Sequence, residues 1–259
     1  MLEIRSIQAF EDNYIWLLKN RGSAMAAVVD PGDAAPVLEL LEHDQLGLGA
    51  ILITHHHGDH TGGIGGLKAA FPDAVVFGPA SEHIDGISHP VDEGAEIILP
   101  GIDARFTVLD MPGHTAGHVA YFGEGVLFCG DVLFAAGCGR VFDGTMEEMA
   151  NSLQRISQLP PGTQLYCAHE YTLANLGFAR WVEPQNQEIL ERHQAVQTLR
   201  DTGKACVPSL LSLELKTNPF LRTMVPGVVA AAETWAGQPL ADSVAVFKAL
   251  RTWKDSDYD

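Results

Sequence analysis

Residues 54–60 read Thr-His-His-His-Gly-Asp-His and follow directly on the apolar run Ala50–Ile53 (AILI). Side chains alternate faces along an extended chain, so His55, His57 and Asp59 point the same way. His60 then falls where the chain turns into the next helix. Neutral imidazoles and carboxylates are the ligands that borderline divalent metals prefer. A solvated polar loop accounts for a single histidine, but not for His55, His57, Asp59 and His60 together at the end of a strand.

Three further residues of the same kind stand in similar settings. His114 lies in MPGHTAGH after RFTVL, Asp131 in CGD after GVLF, and His169 in CAHEY after QLYC. Each follows an apolar strand, so all can gather at one edge of a core, where polar groups without partners are costly. Two metal ions satisfy them at once. A catalytic zinc commonly takes three protein ligands plus water. His55, His57 and His114 make one such set, Asp59, His60 and His169 a second, and Asp131 is left to bridge. Spacing alone does not decide which late ligand serves which ion.

Other residues near these motifs have plainer roles. His56 faces opposite to His55 and His57 and packs or supports, and His118 is structural or stands behind the ligands. His43, His83, His89 and His193 belong to the surface. Asp30 in VDPGD fixes its turn and the ligands near it. Gly62, Gly63, Gly65 and Gly66 are not followed by the Lys-Ser/Thr of a phosphate loop, so they are read as allowing close packing.

Up to about residue 170 short β-rich runs alternate with glycine-rich turns. Tyr14–Leu18, Ala26–Asp30, Ala50–Thr54, Val75–Gly78, Arg105–Leu109, His118–Phe122, Gly125–Cys129 and Gln164–Cys167 read as strands. Several are apolar on both faces, the pattern of a sheet between layers. Pro36–His43, Gly62–Ala70 and Met146–Leu159 read as helices. After Tyr171 the pattern is helical in Thr172–Trp181, Pro184–Arg200 and Asp242–Trp253, with Val207–Asn218 as a connecting arm. The fold class is therefore α/β, with a larger α/β domain over 1–170 and a smaller, mostly helical domain over 171–259.

Composition bounds the function. The 259 residues are 46% hydrophobic and 19% charged, which excludes a disordered chain. No apolar run approaches the roughly 20 residues of a membrane span. The start, MLEIRSIQAF, lacks the basic and apolar blocks of a signal peptide, so a cytoplasmic location is expected. A formal charge of −17 argues against nucleic acid and against an anionic membrane surface as partners. Cys129, Cys138, Cys167 and Cys206 form no CxxC pair; Cys129 and Cys167, inside apolar runs, read as small buried hydrophobes, and Cys138, between glycines, is more accessible but has no special role.

THHHGDH, PGHTAGH, the CGD at Asp131 and the CAHEY at His169 resemble the successive ligand motifs of the metallo-β-lactamase fold. FEDNYIWLL, VDPGD, GCGRVFDGT, AHEYTLAN, TNPFLR and RTWKD extend the likeness over almost the whole chain. As a series they resemble the glyoxalase II (hydroxyacylglutathione hydrolase) family in its bacterial form. The resemblance implies a four-layer αββα sandwich with a helical C-terminal domain. It also implies two divalent metals per chain, zinc first with iron or manganese as alternatives, and the ligand partition above with Asp131 bridging. By the same resemblance Arg251 and Lys254 grip the glycine carboxylate of glutathione, while Arg140 and Tyr171 line the same groove. Phe142 stands where many eukaryotic members carry Tyr, so one hydroxyl contact is missing.

The expected chemistry is hydrolysis of a small-molecule glutathione thioester, S-D-lactoylglutathione, by a hydroxide held between two metals, with Asp59 also orienting it. The products are D-lactate and glutathione, the second step of methylglyoxal degradation. A persulfide dioxygenase of the same fold would need no complete second metal site. A lactonase or β-lactamase leaves the C-terminal cations unexplained, and a non-catalytic scaffold would be expected to have lost ligands. No exposed apolar helix demands a partner, so the expected state is a monomer.

Overall fold

The computed structural model describes residues 2–258. They divide into two compact units, the first running up to Met111 and including Thr115–Gly130, the second comprising Pro112–His114 and the chain from Asp131 onward. The second unit thus begins ahead of residue 170, where the texture of the sequence changes. Among the described residues no helix is long and apolar enough to cross a membrane.

The first unit is an α/β sandwich. Strands β1 (Leu2–Ala9), β2 (Asn13–Asn20), β3 (Met25–Val29), β4 (Gly47–Leu52), β5 (Val75–Pro79) and β6 (His89–Val91) join in chain order. β1 to β3 are antiparallel and β3 to β6 parallel. Helices α1 (Ala35–His43), α2 (Gly58–Thr61) and α3 (Ile64–Ala70) occupy the connections. Ile15, Leu17, Val28, Ile51 and Ile53 pack against Val37 and Leu41 of α1 and Ile64 and Leu67 of α3. The alternate residues Trp16, Leu18, Ala27, Val29, Ala50 and Leu52 are buried too. Burial on both faces is why these strands read as continuous apolar runs.

Strands β7 (Glu96–Ile98), β8 (Arg105–Asp110), β9 (Val119–Gly123) and β10 (Val126–Gly130) form an antiparallel meander. The buried Tyr121 of β9 donates its hydroxyl to the carbonyl of Ile53 at 2.7 Å, and the Val119 amide donates to Thr54 O at 2.9 Å. The two sheets are thereby tied where the first one ends, beside the histidine run.

In the second unit a hairpin, β11 (Leu133–Phe134) and β12 (Gly137–Cys138), precedes α4 (Met146–Ser157) and β13 (Gln164–Cys167). Then come α5 (Thr172–Val182), α6 (Gln187–Asp201), β14 (Ser209–Leu210) paired with β13, α7 (Leu211–Thr217) and a 3₁₀ turn at Pro219–Leu221. Helices α8 (Pro226–Ala236) and α9 (Ser243–Trp253) follow, and a π-helical turn, Lys254–Tyr258, ends the described chain.

Beyond the short strands β6, β7, β11 and β12, too brief to show an apolar run, three features depart from the sequence reading. β1 has no buried apolar run because Arg5, Ser6 and Gln8 face solvent. The arm expected over Val207–Asn218 contains β14 and α7, whose inward face carries Glu214 and Thr217 beside Leu211, so apolar periodicity is broken. α8 is announced only by Pro226 at its start and Gly237, at φ +68°, at its end.

Helix α4 buries Met149, Ser152, Leu153 and Ile156 and begins in a complete capping box. Glu148 N donates to Thr145 Oγ1 at 3.1 Å, and Thr145 N donates to Glu148 Oε2 at 2.8 Å. Thr145→Ala removes the acceptor and should lower unfolding stability by about 1 kcal/mol. Urea denaturation checks this, and a midpoint equal to that of the unsubstituted chain would mean the box contributes nothing.

Candidate metal centre and adjoining groove

In the first unit a chain of hydrogen bonds sets the histidine tautomers. The Asp30 carboxylate accepts the Thr54 amide at 2.8 Å and the Thr54 hydroxyl at 2.8 Å. Because that hydroxyl gives its proton to Asp30, the 3.0 Å contact between Thr54 Oγ1 and His55 Nδ1 is donated by the imidazole. His55 Nε2 is left with its lone pair, facing His57 Nδ1 at 3.1 Å. His60 Nδ1 lies 3.1 Å from Asp30 Oδ2, which favours the proton on that nitrogen, and His60 Nε2 lies 3.5 Å from Asp59 Oδ2. His55 and His60 have no exposed surface, and their ring centroids are 4.1 Å apart.

Supporting residues surround this group. The buried His118 stacks on His55 at 4.8 Å. His56 turns outward, as its place in the alternation predicts, and meets Glu82 Oε2 at 3.0 Å. Gly130 has φ +47°, and a Cβ there would stand 2.5 Å from Thr54 Oγ1 and 2.6 Å from His118 Nε2, so only glycine fits. Asn13 went unremarked as a site residue in the sequence reading, although it lies in the FEDNY motif. Its buried amide donates to Asp59 Oδ2 at 3.0 Å.

The second unit has a donor set of its own. His114 Nδ1 donates to the carbonyl of Arg140 at 2.8 Å, which leaves Nε2 as a lone pair. That nitrogen is 3.4 Å from Asp131 Oδ2, and His169 Nε2 is also 3.4 Å from the same oxygen. Two ligands about 2.1 Å from a tetrahedral ion stand about 3.4 Å apart, so one carboxylate oxygen between two imidazoles fits shared cations. Gly113, at φ +145°, lets the loop approach α4, where a Cβ would meet Met149 Cα at 2.5 Å. His169 stacks on Tyr171 with centroids 4.9 Å apart and planes 4° from parallel, and the Phe134 ring stands nearly perpendicular to both.

A groove of about 510 Å³ in the same unit runs from His114 and Asp131 past Phe134 and Cys138 to Arg140, Phe142, Tyr171, Asn175, Arg251 and Lys254. Phe142 is 63% exposed and its ring meets His114 edge-on at 5.2 Å. Arg251, by contrast, is 1% exposed. Its guanidinium donates to Cys138 O at 3.0 Å and to Asp255 Oδ1 at 2.8 Å and lies over the Phe220 ring. Burial opposes its charge, but Cys138 and Asp255 hold its pKa above the usual value. Asp255 also sits 3.6 Å from Arg140 Nε. Lys254 belongs to the π-helical turn rather than to α9, with its ammonium 5.7 Å from the Tyr258 ring centroid.

Both parts of the chain match known families. Residues 10–169 match the metallo-beta-lactamase superfamily, and residues 170–257 match the hydroxyacylglutathione hydrolase C-terminus. A hydroxyacylglutathione hydrolase of Alkalilimnicola ehrlichii is 53% identical over 255 residues, 98% of this chain and 99% of the relative. The chain belongs to the hydroxyacylglutathione hydrolase family. A second relative of that name, from Methylobacillus flagellatus, is 52% identical over 98% of this chain and 99% of its own. Among solved structures, the BLEG-1 B3 metallo-beta-lactamase shares the fold at 22% identity, with TM-score 0.64 over 85% of this chain and 99% of its own. Within this superfamily the His and Asp clusters suggest a dinuclear metal site.

Cysteine chemistry is not part of the site. Burial pushes the Cys138 thiol up to about 11, against the opposing pull of Arg251, Cys167 to about 12, and Cys206 to about 11. Near pH 8 these groups are thiols, the weakly reactive form. Iodoacetamide at pH 8 should therefore label Cys138, Cys167 and Cys206 rapidly only after denaturant is added. Fast alkylation of Cys138 in the native protein, read by peptide mass spectrometry, would contradict this.

Proposed function

We propose that this chain hydrolyses the thioester of S-D-lactoylglutathione to D-lactate and glutathione, the second step of methylglyoxal detoxification. The observation that carries the reading is the groove, which joins metal-type ligands, His114 and Asp131, to the cations Arg140, Arg251 and Lys254. The relatives' name agrees with it. A glutathione thioester is a net anion, and in a chain of −17 overall charge a groove with clustered cations is a distinctive place for it.

His55, His57 and His114 would hold one divalent ion and Asp59, His60 and His169 the other, with Asp131 as the ligand they would share. Zinc is the first choice, and iron or manganese suit the same donors. Each unit brings donors of the kind such ions take, His55, His57, Asp59 and His60 in the first and His114, Asp131 and His169 in the second, which supports a dinuclear site. When bound, such a pair supplies hydroxide near neutral pH and polarises a carbonyl. The chain's own task is to hold imidazole lone pairs toward that position. Asp30 does so through Thr54, and the Arg140 carbonyl does so directly on His114. Asp59 also orients the nucleophile, steadied by Asn13. The departing thiolate is a good leaving group, so no strong general acid is required.

On the substrate side Lys254 and Arg251 face the glycine carboxylate, with Arg140 and Tyr171 along the peptide. Phe142 supplies an apolar face without a hydroxyl. The segment 171–259 is the glutathione-recognition domain in this reading, and 1–170 the catalytic one. The protein acts as a monomer in the cytoplasm, on a small molecule.

Turnover of S-D-lactoylglutathione that is lost on chelation and regained with zinc tests the activity, and no turnover in the metal-loaded protein would overturn it. Asp131→Ala should leave a folded chain with depleted metal, read by elemental analysis, and very little turnover. Two retained metals with normal kcat would refute the bridge.

Lys254→Ala tests glutathione recognition more cleanly than Arg251→Ala, because loss of Arg251 would also release Cys138 O and Asp255. It should raise KM roughly tenfold while kcat and metal content change little, as expected for loss of one charge-assisted contact. The rise should shrink for a thioester lacking the glycine carboxylate. An unchanged KM would remove Lys254 from the site.

A further inference from the structure

Buried polar side chains from the helical part of the second unit converge on one short hairpin. Asn218 Nδ2 donates to Phe134 O at 3.3 Å and to Gly137 O at 2.9 Å. Asn175 Nδ2 of α5 donates to Ala135 O at 3.1 Å, and Arg251 Nη1 of α9 donates to Cys138 O at 3.0 Å. Glu214 Oε2 of α7 accepts the Ala136 amide at 2.8 Å. Every residue from 134 to 138 thus has a main-chain polar group held by a side chain far away in sequence.

A two-residue hairpin turn ordinarily needs no such help. Here the turn places Ala136 at φ +58°, the left-handed region where glycine is the usual residue. An alanine persists there when its surroundings over-determine it. Glu214 supplies that determination at a cost of its own, since its carboxylate has no exposed surface. Its second oxygen accepts from Arg192 Nη2 at 2.5 Å and from the Ser209 hydroxyl, and Asn218 Nδ2 reaches Oε2 at 3.1 Å. A residue needed only to fill this space would be apolar.

What the hairpin carries gives the arrangement its meaning. Phe134 forms the wall against Tyr171, Cys138 lines the groove, and two residues later Arg140 reaches the same groove. We propose that Glu214 is a positioning residue for the substrate groove: by holding the Ala136 amide it keeps the hairpin in its left-handed turn, and so sets Phe134 and Arg140 for the thioester. The inference rests on the groove being the glutathione-thioester site.

Glu214→Gln tests it, because the isosteric amide offers one acceptor oxygen where two now serve Arg192, Ser209, Ala136 and Asn218. Amide exchange at residues 134–138 should quicken relative to α6. KM for S-D-lactoylglutathione should rise about fivefold or more, with kcat within about twofold and metal content unchanged. Adding Ala136→Gly should return KM to within about twofold of the original, since glycine takes the turn unaided. A merely structural role would lower the melting temperature and leave KM alone, and that result overturns the proposal. So does a raised KM that glycine fails to restore. If Glu214→Gln does not fold, Asn218→Ala leaves the Glu214–Arg192 pair intact and should show the same KM rise and the same rescue. Failure of the substrate reading is seen separately, as absence of turnover in the unsubstituted protein. Amide exchange judges the hairpin regardless of substrate, and unchanged exchange in Glu214→Gln overturns Glu214's role by itself.

Discussion

The structure of the candidate centre depends on where a few protons sit. An imidazole offers a lone pair at one nitrogen only if the other keeps its hydrogen, and a buried ring has no water to settle the matter. Asp30 acts on two rings, on His55 through the Thr54 hydroxyl and on His60 by direct approach. On His114 the same office is filled by a backbone carbonyl, which can only accept. The strand ends, the glycines that let chains approach, and the exclusion of side chains at Gly130 and Gly113 all serve to keep these contacts short.

Much of this was legible in the sequence because the histidines and aspartates of the candidate centre stand in short, distinctive motifs. Runs apolar on both faces mark strands of a covered sheet, and each ligand motif begins where such a run stops. The outward turn of His56 and the role of Asp30 followed from alternation and from the VDPGD turn. The helices α4, α5, α6 and α9 were readable from periodicity.

The rest was hidden for a physical reason: its polar residues are buried. Glu214, Thr217, Asn218 and Arg192 look like solvated positions in sequence, yet each is buried in a hydrogen-bonded network. Glu214 and Thr217 break the apolar period of α7, which therefore read as an arm. Asn13 has the same character, since nothing local distinguishes an asparagine that supports a carboxylate from one that ends a turn. Arg251 was expected to face the glutathione carboxylate, and its burial and its bonds to Cys138 and Asp255 give it a task inside the protein that spacing does not reveal.

The division of the chain has a consequence for the order of events during synthesis. Pro112–His114 packs with the second unit although the residues on either side belong to the first. Gly113 lies against Met149, which leaves the ribosome 36 residues later. At about 5–20 residues per second that is a wait of roughly 2 to 7 s, far longer than helix or hairpin formation. The first unit must therefore carry this tripeptide as an unanchored excursion between β8 and β9 until α4 arrives. His114 gains its orienting acceptor, the Arg140 carbonyl, only 26 residues after its own synthesis.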